Sequence, residues 1–162
     1  MRVLACDPST KHLAFAMWSH EKKAFYTQKI SGDFTRLVLE LENYFLGMPG
    51  GGDIHFFCED QYTGPNRQTG IKIAVMRGVV NAAAVRHGFV LHDPTKATHW
   101  QGLLTMPKGS TYPQRKKRAM EIASVIMGAP VLDSDVADAI CICEYEKNRL
   151  QTKERLSAQG TI

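Results

Sequence analysis

VLACDPSTKHLAFAMW, residues 3–18, is the stretch on which the fold turns. Arg2 to Cys6 forms a short apolar run of strand length, and Asp7-Pro8-Ser9-Thr10 ends it with turn chemistry. Pro8 disfavours a helical Asp7 and has no N–H to give a sheet ladder. His12 to Trp18 and Lys23 to Ile30 are rich in aromatic and β-branched residues, and only Ser19 to Lys22 separates them. That pattern predicts an antiparallel three-strand meander with an aspartate where its first strand leaves the sheet.

Outward from this opening, Phe34, Leu37, Val38, Leu41 and Phe45 recur at helical spacing after the helix-start signal Ser31-Gly32-Asp33, and Gly47 to Gly52 breaks the helix. Ile54 to Cys58 is a continuous apolar run that fits a strand covered on both faces, and it delivers Glu59 and Asp60 at its end. A loop from Tyr62 to Arg67 leads into a helix from Gln68 to His87, with Ile71, Val75, Gly78, Ala82 and Val85 along one side. Phe89 to Leu91 reads as a further strand, Pro94 to Leu104 as a short helix, and Met106 to Tyr112 as a mobile loop. A helix from Pro113 carries Arg115, Lys116, Lys117 and Arg118 ahead of a core stripe of Ala119, Ile122, Ala123 and Ile126. A last helix starts near Ser134 and is expected to stop at about Leu150, leaving a polar tail over 151–162 beyond one domain of 1–150.

The bulk numbers exclude more than they assign. A chain of 162 residues with 44% hydrophobic and 22% charged content is long enough to bury one core without disulfides or a structural metal. No apolar run is long enough to span a bilayer, and the N-terminus enters a strand without a signal-peptide pattern, so a cytoplasmic location and no membrane partner are expected. Cys6 and Cys58 fall in strands, and Cys141 and Cys143 fall two apart on a helix, which reads as small core residues rather than a zinc site. The net charge of +4 is mild, but it leaves a basic surface once several acids are committed to one site.

Those acids carry the chemistry. Asp before Pro at a strand exit is ordinary turn usage. Glu59 at the end of a buried strand is harder to dismiss, because a carboxylate there loses hydration unless a cation or donors await it. Asp60, its neighbour, points the other way and reads as solvent-facing. Asp133 or Ser134 fits a helix cap, whereas Asp135 and Asp138, nearly one turn apart, project from one helix face. Four carboxylates brought together repel strongly unless divalent cations neutralise them, which points to metal-dependent phosphodiester chemistry.

The ordered set VLACDPSTKHLAFAMW (3–18), FFCEDQYTGPNRQTGIKIAVMRGVV (56–80) and DSDVADAICICEYE (133–146) resembles the RuvC-type Holliday junction resolvases of the ribonuclease H-like superfamily, particularly the compact phage members. The resemblance runs from Val3 to about Glu144 and implies an α/β fold, a ribonuclease H-like five-stranded mixed β-sheet flanked by α-helices. It implies that Asp7, Glu59, Asp135 and Asp138 bind two Mg2+ ions, with Mn2+ able to substitute, and that the enzyme nicks DNA to leave 5′-phosphate and 3′-hydroxyl ends. In such sites one ion activates water and the other stabilises the leaving oxygen.

The resemblance further implies that a basic residue, Lys116 or its neighbour Lys117, sits beside the scissile phosphate, with Lys116 taken as catalytic. Tyr62, three residues beyond the glutamate, falls where an aromatic stacks on an unpaired base. Arg67, Lys72, Arg115, Lys116, Lys117 and Arg118 complete the expected DNA-binding set. The implied partners are branched DNA, four-way junctions first, and a second copy of the chain docked through the helix from Gln68 to His87; in a viral setting the location is the host cytoplasm. Ser9 departs from the glycine common after Asp-Pro in the family, and the loop from Gly102 to Tyr112 departs from the cellular enzymes. A flap, branched-DNA or RNA–DNA hybrid nuclease on the same fold, and a catalytically silent branched-DNA binder, are the rival readings. An actin-like ATPase shares the opening strands but needs a second domain that this length does not hold.

Overall fold

The computed structural model describes residues 1–48, 53–60 and 67–160. One mixed sheet of five strands runs in the order β3-β2-β1-β4-β5. Its strands are β1 (Arg2–Pro8), β2 (His12–Ser19), β3 (Ala24–Ser31), β4 (Ile54–Cys58) and β5 (Val90–Leu91). The first three make the antiparallel meander, Val3 facing Trp18 and His12 facing Ser31. Helix α1 (Phe34–Leu46) carries the chain over to β4, which pairs parallel with β1, and α2 (Arg67–Arg86) carries it to β5, parallel with β4. The sheet is therefore mixed, with β1 at its centre.

Two cores lie on its two faces because strand residues alternate. Leu4, Cys6, Phe56 and Cys58 point towards α1 and α2, where Phe45 meets Phe15, Phe56 and Phe89 edge-on at ring separations of 5.8, 6.1 and 4.9 Å. Val3, Ala5 and Phe57 point the other way, towards α4 (Tyr112–Met127) and α5 (Ser134–Ala158). On this second face the sheet offers Ala5, Ala14 and Ala16, and the helices answer with Ala119, Ala123, Ala137 and Ala139. Small side chains on both sides let α5 lie close across β1 and β2. Cys143 Sγ lies 3.3 Å from the Val3 carbonyl and Cys141 Sγ 3.8 Å from that of Ala119, so the two cysteines face β1 and α4 respectively.

The helix ends follow local rules. Asp33 caps α1 by accepting from the Arg36 N–H. Thr111 and Gln114 form a capping box on α4, and Gly128, at φ 67°, closes that helix in the left-handed conformation that favours glycine. Three boundaries differ from the sequence reading. The segment from Pro94 is not helical throughout: Thr95 bridges to Glu59, and only α3 (Ala97–Trp100) and a 3₁₀ turn (Gln101–Leu104) follow. The last strand loses Phe89, whose ring turns into the core. The final helix does not stop near Leu150 but continues to Ala158, because Gln151 to Ala158 holds no glycine or proline and polarity alone does not end a helix. Among the described residues no helix is long and apolar enough to cross a membrane.

Helix α5 is tied to the end of β4 by a buried acid. Glu146, 2% exposed, accepts from the Thr95 hydroxyl at 2.7 Å and from Arg149 Nε at 2.5 Å. Thr95 in turn donates its N–H to the Cys58 carbonyl and accepts from the Asp60 N–H, so it brackets Glu59. Glu146→Ala leaves the buried Thr95 hydroxyl unpaired and is expected to cost about 1–3 kcal/mol in urea unfolding, whereas Glu146→Gln, which keeps an acceptor for Thr95, costs less than half of that.

Candidate active site

The parallel register of β1 and β4 sets Cys6 opposite Cys58, and the Glu59 N–H donates to the Cys6 carbonyl at 2.9 Å. Asp7 and Glu59 are therefore neighbours one step further on. By the same alternation that sends Ala5 and Phe57 towards α5, both carboxylates point to the α5 side of the sheet. Asp133 caps α5 by accepting from the N–H groups of Asp135 and Val136. Asp138, one turn in and 7% exposed, lies near enough for its charge to act on both members of the strand-borne pair. Helix α4 contributes Lys116, whose Nζ lies 2.5 Å from Asp138 Oδ2 and 3.6 Å from Asp135 Oδ1.

Electrostatics separate these acids into two kinds. Asp7 has its carboxyl pushed well above the usual range, first by loss of hydration and then by the charges of Glu59 and Asp138. Glu59 is raised by burial and Asp138, against the pull of its hydrogen bond from Trp100. Asp138 is raised by burial although Lys116 opposes it. Asp135 goes the other way: burial would raise it, but the hydrogen bond from Lys29 and the charge of Lys116 hold it below the usual range. Lys116 stays protonated well above its ordinary range, because Asp138 and Asp7 outweigh the cost of burying it.

Sequence reading missed two of these partners. Trp100, 2% exposed, donates its indole N–H to Glu59 Oε1 at 2.7 Å. Lys29, on β3, places Nζ 2.7 Å from Asp133 Oδ2 and 2.9 Å from Asp135 Oδ2. A signal for Lys29 did exist: it stands four residues after Phe25 on a strand, hence on the face that meets α4 and α5. For Trp100 the only hint is that a buried indole needs an acceptor.

The remaining expected residues scatter. Arg115 gives a guanidinium N–H to the Ser110 carbonyl and Arg118 gives one to that of Leu104, so both hold the loop between α3 and α4 rather than facing outwards together. Lys117 is exposed on α4, and Arg67 and Lys72 are exposed on α2, in the opposite helical layer. Asp60 does not face solvent alone, as the sequence had it, but pairs with Arg77 of α2 at 2.5 Å. Tyr62 lies outside the described residues.

Among the described residues no group of three or more His, Cys, Asp or Glu side chains is drawn tightly enough to hold a metal ion. The donor set nevertheless fits a hard divalent cation, since it is made of carboxylate oxygens. Asp138 Oδ1 is buried with no hydrogen-bond partner, and such an atom gains from a cation beside it.

No protein-family model matches the sequence, and no curated protein matches it. Among solved structures, the chain is similar to RuvC of Thermus thermophilus in complex with a Holliday junction substrate, with a TM-score of 0.67 and 15% identity over 99% of this chain and 98% of that one. A second RuvC structure from Thermus thermophilus aligns with a TM-score of 0.64 and 17% identity over the same shares of both chains. The chain has a RuvC-like fold.

The raised carboxyls have a consequence for stability. A group whose folded pKa exceeds its unfolded value holds a proton that unfolding releases, so stability falls as pH rises from the ordinary carboxylate value near 3.8 through the raised folded values. Asp133 and Asp135, both lowered, act oppositely, and their contribution is lost as pH falls below that point. Without divalent cations, Asp7→Asn is expected to gain in Tm relative to wild type as pH rises above about 4, by about 2–4 °C at pH 8 per kcal/mol of repulsion and desolvation relieved, which paired melting scans check.

Proposed function

We propose that this chain is a divalent-cation-dependent, structure-selective DNA endonuclease that resolves four-way junctions by paired nicks. The observation that carries the reading is the convergence of Asp7, Glu59 and Asp138 from two adjacent strand ends and one helix, with burial raising all three, the charge of Asp138 adding to it at Asp7 and Glu59, and one oxygen of Asp138 left without a partner. Such a cluster is poorly matched to the protein alone and well matched to bound cations. The RuvC-like fold, seen with a Holliday junction in one of the similar structures, supports the choice of branched DNA.

Asp7, Glu59, Asp135 and Asp138 would hold magnesium, two ions in the full site, with Mn2+ as a substitute. Bound there, the metal supplies Lewis-acid stabilisation of the phosphate and lowers the pKa of the attacking water. The chain's own residues do the rest. Trp100 fixes one oxygen of Glu59 and thereby sets where the other points. The Lys116 ammonium, held charged against the acids, faces the negative charge that grows on the phosphate in the transition state. Lys117, Arg67 and Lys72, exposed on two helices, supply phosphate contacts that position the duplex arms.

Two nicks on opposed strands require two sites related by a two-fold axis, and α2 offers a surface for a second copy. Ile71, Val75 and Val85 are 50%, 51% and 56% exposed, and with Gly78 and Ala82 they repeat at alternating steps of four and three, the spacing of a helix–helix seam. Phe34 of α1, 49% exposed, borders this stripe. Sedimentation is expected to show a dimer at micromolar concentration, and Val75→Glu with Ala82→Glu to return a monomer that makes unpaired nicks.

Cleavage of matched four-way junction, flap, linear duplex and RNA–DNA hybrid substrates tests the assignment. Symmetric junction nicks are expected, lost with EDTA and reduced at least about a hundredfold by Glu59→Gln. Preferred flap or hybrid cutting would reassign the substrate, and tight junction binding without cutting in any metal would make the protein a silent binder. Binding should weaken with salt, and Lys117→Ala should lower the log–log slope by about 0.9 if that lysine meets one phosphate.

A further inference from the structure

Lys29 reaches the site from an unexpected direction. It sits near the end of β3, two strands away from β1 across the sheet, and joins a helix that begins more than a hundred residues later. Its ammonium has two anchors. Asp133 Oδ2 takes one, while Asp133 Oδ1 is occupied in capping α5. Asp135 Oδ2 takes the other at 2.9 Å.

Asp135 is thereby enclosed by cations, with Lys29 on Oδ2 and Lys116 3.6 Å from Oδ1. The other three acids differ. Among the described residues, Asp7 and Glu59 have no lysine hydrogen-bonded to them, and Asp138 has one oxygen on Lys116 and one with no partner. A cation entering the site finds at Asp7, Glu59 and Asp138 at least one carboxylate oxygen that no lysine hydrogen-bonds, whereas at Asp135 it meets an ammonium beside each oxygen and has to displace one. Lys29 does not yield easily, because Asp133 holds it in place whether or not Asp135 is free.

We propose that Lys29 is a positioning residue, a resident counter-ion that holds Asp135 back from divalent cations so that the site fills first through Asp7, Glu59 and Asp138. The inference rests on the divalent-cation reading given above. It makes cation affinity at Asp135 a property of a strand outside the acidic cluster, and it predicts a sign: removing the Lys29 charge tightens cation binding, although the lysine is itself part of the network that orders the helix start.

The test is titration with Mn2+, the free ion followed by electron paramagnetic resonance and the bound state by the shift in Tm. Lys29→Gln keeps a hydrogen-bonding group within reach of Asp133 and removes the charge, and it is expected to bind Mn2+ about tenfold more tightly than wild type. Lys29→Arg retains the charge and pairs with carboxylates in a more fixed geometry, and it is expected to bind as wild type or more weakly. Lys153→Met, which removes an exposed charge from the far end of α5, controls for net charge and should leave affinity unchanged. Wild type that binds Mn2+ with Lys29→Gln equal or weaker overturns this inference alone, making Lys29 an anchor of α5. Failure of wild type and Lys29→Gln alike to bind Mn2+ overturns both this inference and the divalent-cation reading.

Discussion

The parallel pairing of β1 with β4 is the constraint on which the site depends. Setting Cys6 opposite Cys58 puts Asp7 and Glu59 side by side at the strand ends. A slip of one residue would turn one of the two carboxylates to the other face, into the phenylalanine cluster around Phe45. The covering helix then has to come near enough for Asp138 to join them. Alanines on both sides of that interface permit the approach, and larger residues at Ala5, Ala14 or Ala137 would push α5 outwards and open the cluster.

Bringing these acids together creates a charge problem that the protein solves in two ways. At the strand ends the solution is protonic: Asp7 and Glu59 are raised towards their neutral forms, so the pair sheds charge. At the helix the solution is ionic, with Lys116 against Asp138 and Lys29 against Asp135. The division follows from what each element has nearby. The strand ends are flanked by Trp100, a neutral donor, whereas the start of α5 lies between α4 and β3, each of which projects a lysine towards it. Neither solution satisfies Asp138 Oδ1, and that is where the balance is left incomplete.

Much of this was legible in the sequence, because the relevant signals are local. The meander, the apolar β4 and the capped helices announce themselves by period and by turn residues, and the carboxylates stand at element ends where such patterns break off. What escaped is what depends on distance in the chain. Lys29 meets Asp133 across 104 residues and Glu146 meets Thr95 across 51, and no period or spacing encodes either contact. The end of α5 escaped for the opposite reason: a polar composition over 151–158 resembles a tail, yet those residues are good helix formers without a terminator before Gly160. Strand alternation alone gives Asp60 to solvent, because it cannot see that Arg77 of α2 waits on that side.

The basic run at the head of α4 shows most clearly why composition is not geometry. Successive residues on a helix are about 100° apart, so four basic residues in a row are spread around the whole circumference instead of forming one face. Lys116 enters the acidic cluster, Lys117 faces outwards, and Arg115 and Arg118, three apart and hence on one side, turn back to the carbonyls of Ser110 and Leu104. A single turn therefore supplies the charge that balances Asp138, a surface cation, and the two ties that shape the preceding loop. Those ties matter to the site, because Leu104 follows Trp100 by one turn and Trp100 holds Glu59. The arginines thus act on the carboxylates through the loop, and the lysine between them acts on the carboxylates directly.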